Sequence, residues 1–175
     1  MLIGLTGPAG SGKSTVARIL YKRAGFIGIA FADPVKDMLA VICSPKYLNS
    51  DKSTPIEWIG KSGRDLMQTL GTEWGRKLVN VDLWVKIAES RLDAIGDDRD
   101  VVVSDVRFEN EAAMIRRRGG FILHLTRNGF GLSGHESESG ILFHNSDVKI
   151  DNTGDEVYTA DQLSRVIMSL MEFSS

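Results

Sequence analysis

Near its start the chain carries glycine, lysine and serine at a spacing suited to phosphate chemistry. Gly7-Pro8-Ala9-Gly10-Ser11-Gly12-Lys13-Ser14 fits G-x-x-x-x-G-K-[ST]. Glycines at 7, 10 and 12 open backbone dihedrals that other residues avoid, so successive N–H groups can turn into one concavity. The loop runs into a helix start, where orphan N–H groups and the dipole favour an anion. Lys13 adds a full charge between β- and γ-phosphates, and the Ser14 hydroxyl offers a ligand to Mg²⁺. The stretch is expected to bind a nucleoside triphosphate, with Gly10, Ser11, Gly12, Lys13, Ser14 and Thr15 about its phosphates.

Other candidates stand where apolar runs end, the place at which ligands collect in open α/β sheets. Asp105 closes the run from Asp100 through Val101, Val102 and Val103. It is either a carboxylate that holds a metal through water or a loop cap. Arg107 and Glu111 follow, four residues apart on one face of a helix start; they either meet a ligand or form a surface ion pair of little worth. Asp33 follows the run Phe26–Phe31 and is at minimum an N-cap, with Pro34 at the first helical position. It also sits where a small-molecule kinase would meet its acceptor. Lys36, one turn on, is either a phosphate ligand or a solvated lysine.

A helix opened by Ser62-Gly63-Arg64-Asp65, which resembles a capping box, is expected to run to about Leu78. At 3.6 residues per turn Leu66, Leu70 and Trp74 should pack inward, while Arg64, Gln68, Gly71 and Gly75 share the other side. Two helix glycines cost about 1 kcal/mol each relative to alanine. Something must therefore approach that face, either a ligand or another backbone. Gln68 and Trp74 are candidate base contacts. None of the histidines, at 124, 135 and 144, is in an obvious base position.

The elements that would position these groups alternate. Leu2–Thr6, Phe26–Phe31, Asp100–Asp105, Phe121–Thr126 and Asp147–Asp151 read as strands, the last polar enough for an edge. Helices between them carry Val35, Met38, Leu39 and Ile42; Val85, Ala88, Leu92 and Ile95; Phe108, Ala112 and Ile115; and finally Leu163, Val166, Ile167 and Leu170. Residues 44–61 read as a connecting loop and 127–146 as a long irregular one. The pattern predicts an α/β P-loop sandwich: a five-stranded parallel sheet, right-handed crossovers and helices on both faces.

Composition narrows the classes. With 175 residues, 42% of them apolar, one domain is the natural count. A net charge of −2 argues against a nucleic-acid surface. Arg116-Arg117-Arg118 reads as a solvated helix end complementing the dipole. The single cysteine, Cys43, fits a reducing compartment and a small core position. With no apolar run of membrane-spanning length and no signal peptide before the first strand, a soluble cytoplasmic protein is expected.

Together the phosphate loop, Phe31-Ala32-Asp33-Pro34-Val35-Lys36, Arg64 through Glu73, and Ser104-Asp105-Val106-Arg107-Phe108-Glu109-Asn110-Glu111 resemble the deoxynucleoside monophosphate kinases encoded by bacteriophages. His135-Glu136-Ser137-Glu138 and the Asp151-Asn152 turn add a weaker match. The resemblance implies transfer of the ATP γ-phosphoryl to a deoxynucleoside 5′-monophosphate, with Mg²⁺ held by Ser14 and Asp105 and with Asn152 near the ATP. It implies that Arg107 and Glu111 touch the monophosphate, that Arg64 and Gln68 line its pocket within a helical part about 33–95, and that 127–146 is a lid. Arg127, the one arginine of that lid, is the candidate to act there on transferred charge, beside Glu136 and Glu138. Related enzymes are commonly homodimers. Two other readings share the donor loop: a different small-molecule P-loop kinase, of the dephospho-coenzyme A, shikimate or phosphomevalonate type, and an NTP-dependent switch protein.

Overall fold

The computed structural model describes residues 1–127 and 141–173. The chain divides into two compact units, Met1–Ile29 with Gly96–Ser175, and Ala30–Ile95. The first begins with strand β1 (Leu2–Thr6) and helix α1 (Lys13–Ala24). Gly25 ends α1 in the left-handed region and returns its N–H to Leu20 O, a common helix stop. Strand β2 is Ile27–Ile29, shorter than the apolar run 26–31, because only those three residues find a partner strand.

The second unit is mostly helical. Helix α2 spans Asp33–Leu39. Val35 and Leu39 are buried, but Met38 and Ile42 are exposed, against the expected four-residue stripe. The helix stops at Leu39, so Ile42 no longer falls one helical repeat along the buried face. The expected loop at 44–61 contains helix α3 (Pro45–Asn49), capped by Ser44, and half of a short antiparallel pair. That pair is β3 (Pro55–Ile56) with β4 (Lys61–Ser62).

Helix α4 (Gly63–Gln68) opens on the expected capping box: Asp65 N–H donates to Ser62 Oγ, and Asp65 Oδ2 accepts from Ser62 N–H. Hydrogen bonds from the Ser62 hydroxyl and backbone hold the Asp65 carboxyl below its ordinary value. The helix then loosens into a π-helical segment, Thr69–Val79, closed by the Asn80 N–H donating to Gly75 O. A bond five residues back widens the turn, so faces drawn at 3.6 residues do not persist past Gln68. Trp74, expected inside, is 39% exposed, and it is Thr72 and Gly75 that are buried. Helix α5 (Leu83–Ile95) closes the unit on buried Trp84, Val85, Ala88 and Leu92.

Back in the first unit come β5 (Val101–Val103), α6 (Glu109–Arg117), β6 (Phe121–Thr126), β7 (Val148–Asp151) and α7 (Glu156–Phe173). The five long strands pair in the order β2-β5-β1-β6-β7, all parallel, with β7 at an edge as expected. Alternation along β1 divides its neighbours. Ile3 and Leu5 pack with Val16, Ile19 and Leu20 of α1 and Ala160 and Leu163 of α7. Gly4 faces the other way, where an added Cβ would press on Ile115 of α6, Ile122 and Val106. Helices thus cover both faces of the sheet. Among the described residues no helix is long and apolar enough to cross a membrane.

One buried carboxylate ties α6 to the two strands at that edge. Asp147 accepts from Arg116 Nε at 3.0 Å and Nη2 at 2.6 Å, from His144 N–H at 2.9 Å, and lies 2.9 Å from His124 Nε2. Arg116, expected to be solvated, is only 14% exposed and is committed to this partner. Burial pushes the Asp147 carboxyl up, but the donors and the Arg116 charge outweigh it and leave it below the ordinary carboxylate value.

Candidate active site

The phosphate loop joins β1 to α1, and its three glycines all take positive φ: 141° at Gly7, 81° at Gly10 and 93° at Gly12. Two of them are also forced by space. A Cβ on Gly7 would fall on the Leu125 carbonyl of β6, and one on Gly12 would fall on the Asn152 amide. Lys13 curls back over the loop, its Nζ donating to Gly7 O at 2.6 Å and Pro8 O at 2.9 Å. Ser11 N–H closes a turn on Pro8 O, and the Gly12 carbonyl accepts from Thr15 and Val16 as α1 begins. Ser11 Oγ is buried without a hydrogen-bond partner among the described residues. Ser14 is exposed on the first turn of α1, and Thr15 is half-buried.

Asn152 follows β7 and reaches this loop. Its side chain donates to Ser11 O at 2.8 Å, and its Oδ1 lies 2.7 Å from Thr159 Oγ1. Its backbone N–H is fixed on Thr126 O. Thr159 is fully buried on α7, and no sequence pattern marked it: only the fold brings it to Asn152, seven residues back.

Asp105, half-buried, sits two residues past the end of β5, the strand beside β1. Its carboxylate and the Ser14 hydroxyl are both oxygen donors. That suits Mg²⁺, which keeps most of its shell for phosphate oxygens and water. Among the described residues no cluster of three His, Cys, Asp or Glu side chains forms a protein-only cage. Glu111 is 2% exposed, and its Oε2 accepts from Arg107 N–H at 2.7 Å and Phe108 N–H at 3.1 Å. The carboxylate therefore caps its own helix, while the Arg107 side chain is exposed. Arg127, also exposed, follows the end of β6 on the other side of β1. His135, Glu136, Glu138 and most of the proposed lid lie outside the described residues.

In the second unit Asp33 is the first residue of α2 rather than its cap. Ala32 stands at the cap, and Asp33 Oδ2 accepts from Ala30 N–H at 2.8 Å. It also meets Arg91 of α5 at 3.5 Å, and the same guanidinium reaches Asp37 at 3.4 Å. Arg91 carried no sequence signal, since its partners lie more than fifty residues away. Lys36 is half-buried on α2; Arg64 is exposed and Gln68 half-buried on α4. The two glycines expected to face a ligand or backbone differ. A Cβ on Gly75 would strike the Trp84 ring, so that glycine makes room for a side chain. A Cβ on Gly71 would meet, among the described residues outside its own helix backbone, Val35 Cγ2 at an ordinary 3.8 Å. Trp84 donates to Gly71 O at 2.7 Å and meets Trp74 at 6.4 Å, tilted by 46°.

A parallel sheet flanked by helices, with this loop leaving its first strand, defines an α/β P-loop fold. Solved structures agree on the fold. A shikimate kinase from Aquifex aeolicus is 14% identical with a TM-score of 0.54, covering 98% of this chain and 96% of its own. A gluconokinase from Sinorhizobium meliloti is 17% identical with a TM-score of 0.50, at 99% and 97% coverage. The deoxynucleotide monophosphate kinase family matches residues 57–160. A protein of Acanthamoeba polyphaga mimivirus, assigned by name as a deoxynucleotide monophosphate kinase, is 34% identical over 153 residues, 74% of this chain and 75% of its own. The deoxynucleoside-5′-monophosphate kinase of Escherichia phage T5 is 28% identical, at 66% and 72% coverage. The chain belongs to the deoxynucleotide monophosphate kinase family.

Proposed function

We propose that the protein transfers the γ-phosphoryl of ATP to the 5′-phosphate of a deoxynucleoside monophosphate, giving the diphosphate. The observation that carries this is the loop: three glycines in positive φ at a helix N-terminus, with Lys13 folded over them, in a chain of this family. Gly10, Ser11, Gly12, Lys13, Ser14 and Thr15 are assigned to the triphosphate, with Asn152 beside them. To meet phosphate, Lys13 exchanges the Gly7 and Pro8 carbonyls for the β- and γ-oxygens. When bound, Mg²⁺ neutralises charge on those oxygens; Ser14 and Asp105 are assigned to hold it.

The acceptor phosphate is already anionic at neutral pH, so the reaction needs alignment and charge compensation rather than a strong base. This agrees with His124 being engaged by Asp147. Arg107 is assigned to the acceptor phosphate. Glu111, by holding two backbone N–H groups, fixes the stretch from which that arginine projects. Asp33, Lys36, Arg64, Gln68 and Trp74 are assigned to the acceptor nucleotide, and Arg127 to charge on the transferred group. The product feeds DNA synthesis, and the assigned compartment is the cytoplasm, that of the host cell if the chain is phage-encoded.

Steady-state kinetics on two variants test the assignment. Arg107→Ala is expected to raise the acceptor KM by about tenfold or more with little change for ATP, as loss of a charged hydrogen-bond donor does. Lys13→Ala is expected to lose turnover with every acceptor. Near-normal activity of either variant contradicts it.

A further inference from the structure

We propose that Asn152, held by Thr159, is a positioning residue that sets the shape of the phosphate loop. This rests on the donor half of the proposed function, that the loop holds a triphosphate. Both ends of the Asn152 amide are already used inside the protein. Its nitrogen donates to Ser11 O at 2.8 Å, its oxygen faces the Thr159 hydroxyl at 2.7 Å, and the residue is 7% exposed. The Thr159 proton has two acceptors in reach, since Asp155 O lies 3.0 Å away. Only the bond to Asn152 reaches the phosphate loop.

Peptide geometry explains why this matters to a ligand. In a planar trans peptide the C=O and N–H point in opposite directions. Anchoring Ser11 O on Asn152 therefore aims the Gly12 N–H the other way, towards the concavity. Gly12 N–H makes no hydrogen bond among the described residues. Gly12 must itself lack a side chain for the amide to sit there, so the motif glycine and Asn152 form one packed unit. Asn152 in turn cannot drift, because its own N–H is tied to Thr126 O at the end of β6. The chain of contacts runs from α7 through Asn152 to one peptide plane of the loop. Its expected consequence is affinity for phosphate, independent of base and sugar.

The test compares equilibrium binding of inorganic tripolyphosphate and ATP to the full chain and to Thr159→Val, Thr159→Ser and Asn152→Ala, with thermal melting alongside. Thr159→Val, which keeps the shape and loses the hydroxyl, is expected to weaken both ligands by the same factor, roughly fivefold, as for one lost hydrogen bond. Asn152→Ala, which strands the buried Ser11 carbonyl, is expected to weaken both by about tenfold or more. Thr159→Ser restores the hydroxyl and is expected to bind as wild type does. Should Asn152→Ala not fold, Thr159→Val and Thr159→Ser decide the matter between them. Weaker ATP binding with unchanged tripolyphosphate binding would overturn the proposal, because Asn152 would then act on the nucleoside. Unchanged binding of both ligands by Thr159→Val would overturn it as well. Failure of the wild type to make a deoxynucleoside diphosphate counts against the acceptor reading alone, since tripolyphosphate binding needs no acceptor.

Discussion

The two units hold their functional groups by different means. In Met1–Ile29 with Gly96–Ser175, buried polar side chains are locked onto backbone: Asn152 on Ser11 O, Glu111 on two N–H groups, Asp147 on His144 N–H and on Arg116. In Ala30–Ile95 most candidates stand on helix surfaces, and the Arg91 ion pairs with Asp33 and Asp37 are at 3.5 and 3.4 Å and partly exposed. A buried, fully partnered group holds one geometry, because any departure strands a donor or acceptor away from water. A half-exposed pair can exchange its partner for water at little cost. These groups of the first unit are thus held in fixed positions, whereas the half-exposed ion pairs of the second can exchange partners with water.

Asp147 offers the largest expected effect on that contrast. Asp147→Ala leaves the Arg116 guanidinium mostly buried without its main partner, a loss of about 3 kcal/mol by the scale of broken buried pairs. Thermal melting checks it. Because the folded carboxyl lies below its ordinary value, its contribution is complete above the unfolded value of about 3.9 and fades as pH falls below it. The gap in melting temperature between wild type and variant should therefore close in acid. A gap that persists unchanged to low pH would show that Asp147 stabilises by packing rather than charge.

The glycines of the second unit give a smaller pair of effects with opposite signs. Gly75→Ala places a methyl against Trp84, and overpacking of this kind costs about 1–3 kcal/mol. Gly71→Ala meets only Val35 at van der Waals distance, so helix propensity should leave stability unchanged or raise it by up to about 1 kcal/mol. If the acceptor lies against Gly71, that variant should melt as wild type does and still show a raised acceptor KM. Equal destabilisation by both would contradict the packing described for this segment.

What could be read from the sequence divides by range along the chain rather than by unit. The phosphate loop was legible because its constraints are local: each glycine is set by its own dihedral or by a neighbour the strand order implies. The strands were legible through apolar runs, and the acidic cap of α4 through a four-residue pattern. Arg116 was not, since a row of arginines before two glycines looks like a solvated helix end until Asp147, 31 residues on, is folded against it. Thr159 was hidden for the same reason. The faces of the helix after Gln68 were misjudged because a π-helical register leaves no mark in a hydrophobic pattern. Trp84, which occupies the space left by Gly75, lies on a separate helix.

The reaction itself is tested most directly by supplying ATP and Mg²⁺ with dTMP, dGMP, dCMP and dAMP one at a time and following ADP and deoxynucleoside diphosphate together. The expected result is diphosphate from at least one of the four, in step with ADP. ADP released without any diphosphate would contradict phosphoryl transfer to these acceptors and point to hydrolysis instead.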